Sequence, residues 1–358
     1  MRTVYQMLAG FSRRDAISNE ALLLRSLFRR WGWKAAICCD PSGTHPDLRG
    51  EIVVPAELRR RCSPEDIAFL HLSIGSDIND LFAELSCHKV ILYHNITPPE
   101  FMEAVNPGLA ARLGRGRKQM AALAGTAPVV LADSRYNAAE LERHGYRQVR
   151  VMPILLDLAH LKPRAVSSPI RACRRSPPAL LFVGRCAPNK RLEHLILLLA
   201  YYRRHCDRNA RLVLVGSYMG MEKYHCLLVA LARKLGLHDA VEFAGSRPQA
   251  ELNAIYRSSE VFVSMSEHEG FCVPILEAMY HRLPVMAYGA GAVPETMGGA
   301  GILFCEKDFP LLAETLDRLV RDPTLRQAVL HRQDKRLARY DPAREAQRLR
   351  ELLQSAFE

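Results

Sequence analysis

The sequence predicts an α/β chain of two Rossmann-like domains, each a doubly wound parallel sheet. Three observations carry this. Short apolar runs of strand length alternate with longer runs of helical period, the rhythm fails once near the middle, and it then restarts. A chain of 358 residues can fill two hydrophobic cores of ordinary size. With 49% hydrophobic and 24% charged residues and no internal repeat, disorder, collagen and coiled coil are excluded.

In the first half, strands are expected at Thr3–Leu8, Ala35–Cys39, Ile67–Leu72, Lys89–Tyr93, Val129–Leu131 and Val149–Met152, with helices at Asn19–Trp31, Ile78–Leu85, Leu109–Leu123 and Tyr136–Arg143. These make a first domain over residues 1–155. Residues 156–178 hold Pro163, Pro169, Pro177 and Pro178 and lack periodicity, as an interdomain linker should. Strands then recur at Leu180–Val183, Leu212–Val215, Val241–Phe243, Val261–Val263, Val285–Ala287 and Ile302–Phe304, giving a second domain over 179–335. In Pro310–Val320, Leu312, Leu316, Leu319 and Val320 share one helix face, and Pro323 ends that helix. Residues 336–358 read as a helical tail that could cross back to the first domain, its many arginines forming a solvated face. Ligands of such sheets bind beyond the carboxyl ends of the strands, so a cleft between two facing domains is the expected place of function.

The formal net charge of +11 points to an anionic partner. The densest excess lies in residues 151–178, with five basic residues against one acidic. Basic pairs and triplets elsewhere, such as Arg13-Arg14 and Arg59-Arg60-Arg61, are scattered and largely lack adjacent aromatics, which disfavours nucleic acid. Phosphorylated substrates fit the charge, as does an anionic membrane surface approached through Arg59, Arg60, Arg61, Arg112, Arg115, Arg117 and Lys118. The longest strictly apolar run, Leu195 to Tyr202, has eight residues, against the ~20 needed to span a bilayer. The N-terminal stretch lacks the h-region of a signal peptide, so a cytoplasmic chain, peripheral on the inner membrane face in the second case, is expected. Ten cysteines without a C-x-x-C pair read as reduced, mostly buried hydrophobes and give neither a disulfide framework nor a zinc site.

The chemistry-bearing stretch runs from Ser264 to Met279. It leaves a strand, passes through Glu269, Gly270, Phe271, Cys272 and Val273, and enters a helix with Pro274 in its first turn. The amides of residues 270–273 then stand at the positive helix end, where a phosphate can bind. Glu277 lies about one turn in, among Ile275, Leu276, Ala278 and Met279; a buried carboxylate there needs a partner and can accept from sugar or ribose hydroxyls. Glu269 can do so for a second polyol.

Two glutamates with seven residues between them, in Glu-Gly-Phe-Cys-Val-Pro-Ile-Leu-Glu-Ala-Met, closely resemble the E-x7-E signature of retaining glycosyltransferases of family four, which have the GT-B fold. The resemblance covers most of the chain. Phe182-Val183-Gly184-Arg185 with Pro188-Asn189-Lys190-Arg191 is similar to the strand and loop that bring an Arg and a Lys to the donor diphosphate. Gly289 to Glu295 looks like the small-residue loop beside the donor sugar. The resemblance further implies that Gly10, in a first loop with one glycine where many members have a pair, approaches the donor phosphates and that His94, in Tyr93-His94-Asn95, faces the transferred hexose. Asp133 or Ser134 would cap the following helix.

What the resemblance implies is hexose transfer with retention from a nucleoside-diphosphate sugar, GDP-mannose foremost, to a glycan or polyprenol-linked glycan in cell-surface polysaccharide or lipopolysaccharide synthesis. His94, Glu269, Arg185 and Lys190 would be catalytic; Gly10, Gly184, Arg247 near the base, Gly270, Phe271, Cys272, Val273 and Glu277 would bind the donor. No metal and no further cofactor are implied, and no Asp-x-Asp sequence is present to hold a divalent cation. The alternatives are a UDP-sugar enzyme with a soluble acceptor and a non-enzymatic polyanion-binding protein. A dinucleotide-dependent oxidoreductase is disfavoured because no G-x-G-x-x-G opens a helix after a strand.

Overall fold

The computed structural model describes residues 2–13, 15–157, 161–162 and 179–357. The chain divides into two compact units, residues 1–100 with 107–157 and 341–358, and residues 101–106 with 158–340. Most of the expected linker, 158–160 and 163–178, lies outside the described residues.

The first unit runs β1 (Thr3–Leu8), α1 (Ala16–Arg30), β2 (Lys34–Cys38), β3 (Ile52–Val53), α2 (Pro55–Arg61), β4 (Ile67–Leu72), α3 (Asp77–Glu84), β5 (His88–Tyr93), α4 (Pro107–Ala122), β6 (Val129–Ala132), α5 (Arg135–Arg143) and β7 (Arg150–Val151). Its seven strands are ordered β3-β2-β1-β4-β5-β6-β7, all parallel. Every residue of β4 is buried, as expected of a central parallel strand covered on both faces. Helix α1 begins at Ala16, three residues before the expected start, because the Asp15 carboxylate accepts from the Ser18 amide and caps it. Strand β3 and helix α2 have no counterpart in the sequence prediction; two residues are too few for a period, and α2 is a polar seven-residue helix opened by Pro55.

The second unit runs β8 (Ala179–Val183), α6 (Leu192–His205), β9 (Arg211–Val215), α7 (Glu222–Lys234), β10 (Val241–Gly245), α8 (Gln249–Ser258), β11 (Val261–Ser264), α9 (Val273–Tyr280), β12 (Val285–Tyr288), α10 (Val293–Met297), β13 (Ile302–Phe304), α11 (Phe309–Arg321) and α12 (Pro323–Arg339). Its six parallel strands are ordered β10-β9-β8-β11-β12-β13. Leu192, Leu195, Ile196 and Leu199 of α6 pack with Leu312, Leu316 and Leu319 of α11 in its core. Pro323 ends α11 and also opens α12, with Asp322 accepting from Thr324 and Leu325 as the cap between them.

Three expectations are corrected. Residues 101–106, placed in the first domain from sequence, cluster with the second unit. The Asn106 side-chain amide donates to Gly220 O, Lys223 Nζ donates to Ala104 O, and Val105 joins the second core. The tail begins at Asp341 rather than residue 336, because α12 continues to Arg339. Within it Arg336 is half-buried and donates to Thr296 O and Glu295 O, so it is not part of a solvated face. Of the nine described cysteines only Cys38, Cys39 and Cys186 are buried, while Cys226 and Cys305 are exposed.

The last helix, α13 (Pro342–Phe357), packs Ala346, Leu349, Leu353 and Phe357 against Val4, Leu24, Phe69 and Val90 in the core of the first unit. Leu353 is fully buried there. Leu353→Ala is therefore expected to cost about 2–5 kcal/mol in urea unfolding of the full chain, whereas an equal substitution at the exposed Leu311 should change it by less than about 0.5 kcal/mol.

Candidate active site

In each sheet the strand order reverses direction once, between β1 and β4 in the first unit and between β8 and β11 in the second. Crossovers leave the sheet on opposite faces at such a point, which opens a crevice at the carboxyl ends of the two strands. Of the sequence-predicted residues, Gly10 follows β1, Gly184, Arg185 and Lys190 follow β8, and Glu269 to Cys272 follow β11, whereas His94 follows β5, Arg247 follows β10, and Val273 and Glu277 lie in α9.

In the second unit, Lys190 lies after β8 and Glu269 in the loop after β11; Lys190 Nζ and Glu269 Oε2 are 2.7 Å apart, so the pair spans the reversal. The Glu269 side chain is 9% exposed, which makes this a shielded pair and not a surface salt bridge. An ammonium carries three protons, so pairing with one carboxylate oxygen leaves donors to offer a ligand. The loop is held on two sides. Glu267 accepts from Arg191 Nε at 2.6 Å and from Lys307 Nζ at 2.7 Å, and these cations hold its carboxyl below the usual range against the opposing effect of burial. Asn189 Nδ2 donates to His268 O. Glu267 and His268 thus make local loop contacts.

Gly291 fixes the other wall. Its φ is +59°, and a Cβ on it would lie 2.4 Å from Glu269 O, so only glycine lets this loop close on Glu269. The Ala292 amide donates to the same carbonyl at 2.9 Å. Helix α9 starts at Val273 with Cys272 as its left-handed cap, which directs the positive helix end toward residues 270–273. Phe271 is buried, its carbonyl accepting from the Thr296 hydroxyl. Loss of solvent around the half-buried Cys272 thiol, together with the neighbouring Glu269, pushes it well up from its ordinary value, so it stays neutral. Glu277 is buried, and its Oε2 accepts from the Tyr256 hydroxyl at 2.8 Å, the partner that its apolar surroundings demand. Gly184 ends β8. The exposed Arg185 follows it and donates to Met219 O at 3.1 Å. Arg247 lies beyond β10, 3.5 Å from Glu251, its Nε buried without a hydrogen-bond partner among the described residues.

In the first unit, Gly10 is exposed in the loop after β1, and the neighbouring Phe11 amide donates to Gly43 O. His94 follows β5, but its side chain is only 1% exposed and both ring nitrogens are engaged within the unit. Nδ1 is 2.9 Å from Asp133 Oδ2, and Nε2 is 2.9 Å from His71 Nδ1. Gln6, Glu20 and His71 complete this buried group. Ser134 caps α5, accepting from the Asn137 amide, while Asp133 is spent on His94. Burial alone would lower the His94 imidazole, but Asp133 above all, then Glu20 and Asp15, hold it above its ordinary value. His71 is driven well below its ordinary value by burial and by the neighbouring His94. Glu20 Oε1 accepts from the Leu155 amide at 2.7 Å, and burial pushes its carboxyl up to about 8.

Gln6, Glu20, His71, Tyr256 and Lys307 were missed from sequence. A signal for two of them was present: Gln6 in Thr-Val-Tyr-Gln-Met-Leu and His71 in Ile-Ala-Phe-Leu-His-Leu are single polar residues inside otherwise apolar central strands. Glu20, His71 and His94 have ligand atoms within 4.8 Å of one another, close enough for a metal. Their ring nitrogens are already satisfied by Gln6, by each other and by Asp133, and the two imidazoles are coplanar within 2°, the geometry of a ring-to-ring hydrogen bond.

Two outcomes follow from these contacts. Glu20 keeps a proton in the folded chain that the unfolded chain releases above its ordinary value of 4.5, so its contribution to stability declines as pH rises from there to about 8. Glu20→Gln should match wild type near pH 5 and gain on it progressively to pH 8, by at most ~1.4 kcal/mol per pH unit, in thermal or urea unfolding. Equal slopes in the two proteins would refute the raised carboxyl. Gly291→Ala should cost about 1–3 kcal/mol and displace Glu269, with ligand binding to the second unit lost in calorimetry.

Residues 168–336 match the family model described as Glycosyl transferases group 1. Among curated proteins, the D-inositol 3-phosphate glycosyltransferase of Frankia alni is 35% identical over 201 residues, covering 54% of this chain and 49% of that protein. The enzyme of the same name from Nocardia farcinica is 28% identical over 214 residues, 58% of this chain and 47% of its own. The chain thus aligns with about half the length of these relatives. Among solved structures, Anabaena HepE in complex with UDP-glucose superposes with a TM-score of 0.78 at 19% identity, covering 99% of this chain and 100% of that one. WaaG, a glycosyltransferase involved in lipopolysaccharide biosynthesis, gives 0.69 at 14% identity over 97% and 98%. The fold is the GT-B fold of these solved structures, and the family match is to residues 168–336, a little under half of the chain.

Proposed function

We propose that this chain transfers a hexose, with retention of configuration, from a nucleoside-diphosphate sugar to a hydroxyl acceptor. The observation that carries the reading is the Lys190–Glu269 pair across the strand reversal of the second sheet, beside the positive end of α9. Lys190 and Arg185 would balance the charge that develops on the departing diphosphate, with the amides of residues 270–273 as neutral donors to the same oxygens. Glu269 holds the Lys190 ammonium in place. Glu277, oriented by Tyr256, would accept from ribose or sugar hydroxyls. By the sequence resemblance, Gly184 would leave its loop free of side-chain bulk for the donor, Gly10 would do the same for the loop after β1, and Arg247 would contact the base. His94 acts from beneath the surface through its charge, since its ring is buried. The reaction as proposed takes no cofactor beyond the donor.

For the donor we favour GDP-mannose, on the sequence resemblance to polysaccharide and lipopolysaccharide transferases. A UDP-sugar is the second reading, favoured by the neighbouring HepE structures, whose ligands are UDP, UDP-glucose and glucose. For the acceptor we favour a glycan or polyprenol-linked glycan; the names of the curated relatives point instead to a polyol phosphate. Attachment to an anionic membrane has less support. Arg115 is paired with Asp77 and Asp80, Arg117 with Glu140, Arg59 with Glu84 and Arg61 with Glu57, which leaves Arg60, Arg112 and Lys118 among the exposed cations of that group. No helix among the described residues is long and apolar enough to cross a membrane.

Lys190→Ala and Glu277→Ala should each lower kcat/KM for transfer or donor hydrolysis by about a hundredfold or more while the protein stays folded, since each removes a partner from a shielded site. Wild-type turnover in both would overturn the reading. GDP, UDP and ADP compared by thermal shift identify the base: the right nucleotide at 100 times its Kd stabilises by ~2.7 kcal/mol. Stabilisation by UDP and not by GDP would replace mannose by the second reading.

A further inference from the structure

The buried group in the first unit has a direction that can be followed proton by proton. Gln6 Nε2 donates to Ala21 O at 2.8 Å, and a carbonyl can only accept, so the amide nitrogen of Gln6 is fixed on that side. Its oxygen is therefore the atom 3.1 Å from His71 Nε2, which must carry a proton to bond it. His71, driven well below its ordinary value, is neutral, so its Nδ1 holds a lone pair. That lone pair faces His94 Nε2 at 2.9 Å and requires a proton there. The remaining ring nitrogen of His94, Nδ1, is 2.9 Å from Asp133 Oδ2 and 3.8 Å from Glu20 Oε2. With a carboxylate as partner, this nitrogen is protonated as well.

We infer that Gln6 and His71 are positioning residues that lock His94 as a doubly protonated ring against Asp133, so that it enters the reaction as a fixed charge and never as a base. The groups that face it come from every neighbouring element: Gln6 from β1, Asp15 from the cap of α1, His71 from β4 and Asp133 just after β6 set this state, while Glu20, from the first turns of α1, keeps its own proton to about pH 8 and adds a charge only above that. A ring with both nitrogens donating has no lone pair to take the acceptor's proton. That proton must then leave to another base, and in the proposed reaction the departing phosphate oxygen can receive it as the bond from the sugar carbon to that oxygen breaks. The protonation of His94 stands apart from the proposed reaction; its consequence for catalysis rests on that reading.

The test is nitrogen-detected NMR of the full chain with 15N-labelled histidine. Wild-type protein should show His94 doubly protonated at pH 7.5 and His71 as the neutral Nε2–H form. His71→Leu should lower the pH at which His94 loses its proton by about one unit or more, and His71→Asn, whose side-chain oxygen can replace Nδ1 as acceptor, should restore it. In kinetics, His71→Leu and Gln6→Leu should lower kcat about tenfold at pH 8 and about twofold at pH 6 with donor KM little changed, and His71→Asn should recover most of the loss. A loss equal at both pH values, or unrepaired by asparagine, reduces His71 to a structural residue and overturns the positioning role. A neutral His94 at pH 7, a proton on His71 Nδ1, or one equivalent of zinc in the purified protein by mass spectrometry overturns the lock. A locked ring in a protein that turns over neither donor leaves the lock standing and refutes the transferase reading. Turnover with a neutral His94 does the reverse.

Discussion

Polar side chains at the carboxyl end of a buried parallel strand have to be satisfied by other side chains, because the strand's own backbone groups are spent on the ladder and water is excluded. This constraint shapes both units. At the reversal of the second sheet it is met by the Lys190–Glu269 pair and by Tyr256 on Glu277. At the reversal of the first it is met by a chain of hydrogen bonds from Asp133 through His94 and His71 to Gln6 and the Ala21 carbonyl. The loops that carry these groups are fixed by further pairs, with Glu267 between Arg191 and Lys307, and Gly291 against Glu269. A pair left with one partner removed would be a buried charge in low dielectric, so each member constrains the others more than its own net energy suggests.

The two solutions suit different tasks. The second unit presents cations, a helix amino end and glycine-lined backbone, which bind an anion without needing to change protonation. The first unit turns its charges inward, where the His94 and Asp133 side chains are 1% and 3% exposed. A buried ion pair of this kind is weak support for stability but gives a well-defined arrangement, and here it ties β5 to β6 at the rim of the sheet.

Much of the fold was legible in the sequence because strand runs and helix periods are local signals. Among the described residues, all eleven strands longer than two residues fall on expected apolar runs, whereas β3 and α2 were lost to shortness and polarity. The loop carrying Glu269 and the helix carrying Glu277 could be placed because Pro274 and the apolar neighbours of Glu277 mark a buried helix start. Partners could not be placed in the same way. That Tyr256 meets Glu277, or that Arg115 is spent on Asp77 and Asp80, depends on which helices lie side by side, a nonlocal fact that composition does not encode. His94 illustrates the limit: its position after a strand was readable, but its burial behind His71 and Asp133 was not, because those residues sit on two other strand ends.

The packing of α13 into the first core carries a consequence for the order of assembly. The Arg2 guanidinium donates to Phe357 O at 2.7 Å, a bond between residues 355 positions apart, and Leu349 and Leu353 fill space between α1 and the first sheet. On a ribosome the first unit therefore lacks part of its interior until residues 341–357 have been made, while residues 179–340 can close their own core earlier. Closing so long a loop has an entropic cost that grows only logarithmically with length, yet it places these nonlocal contacts after the closure of the second unit's core. A nascent chain arrested before α13 would expose the apolar groove formed by Leu24, Phe28 and Phe69, a surface of the kind that chaperones bind.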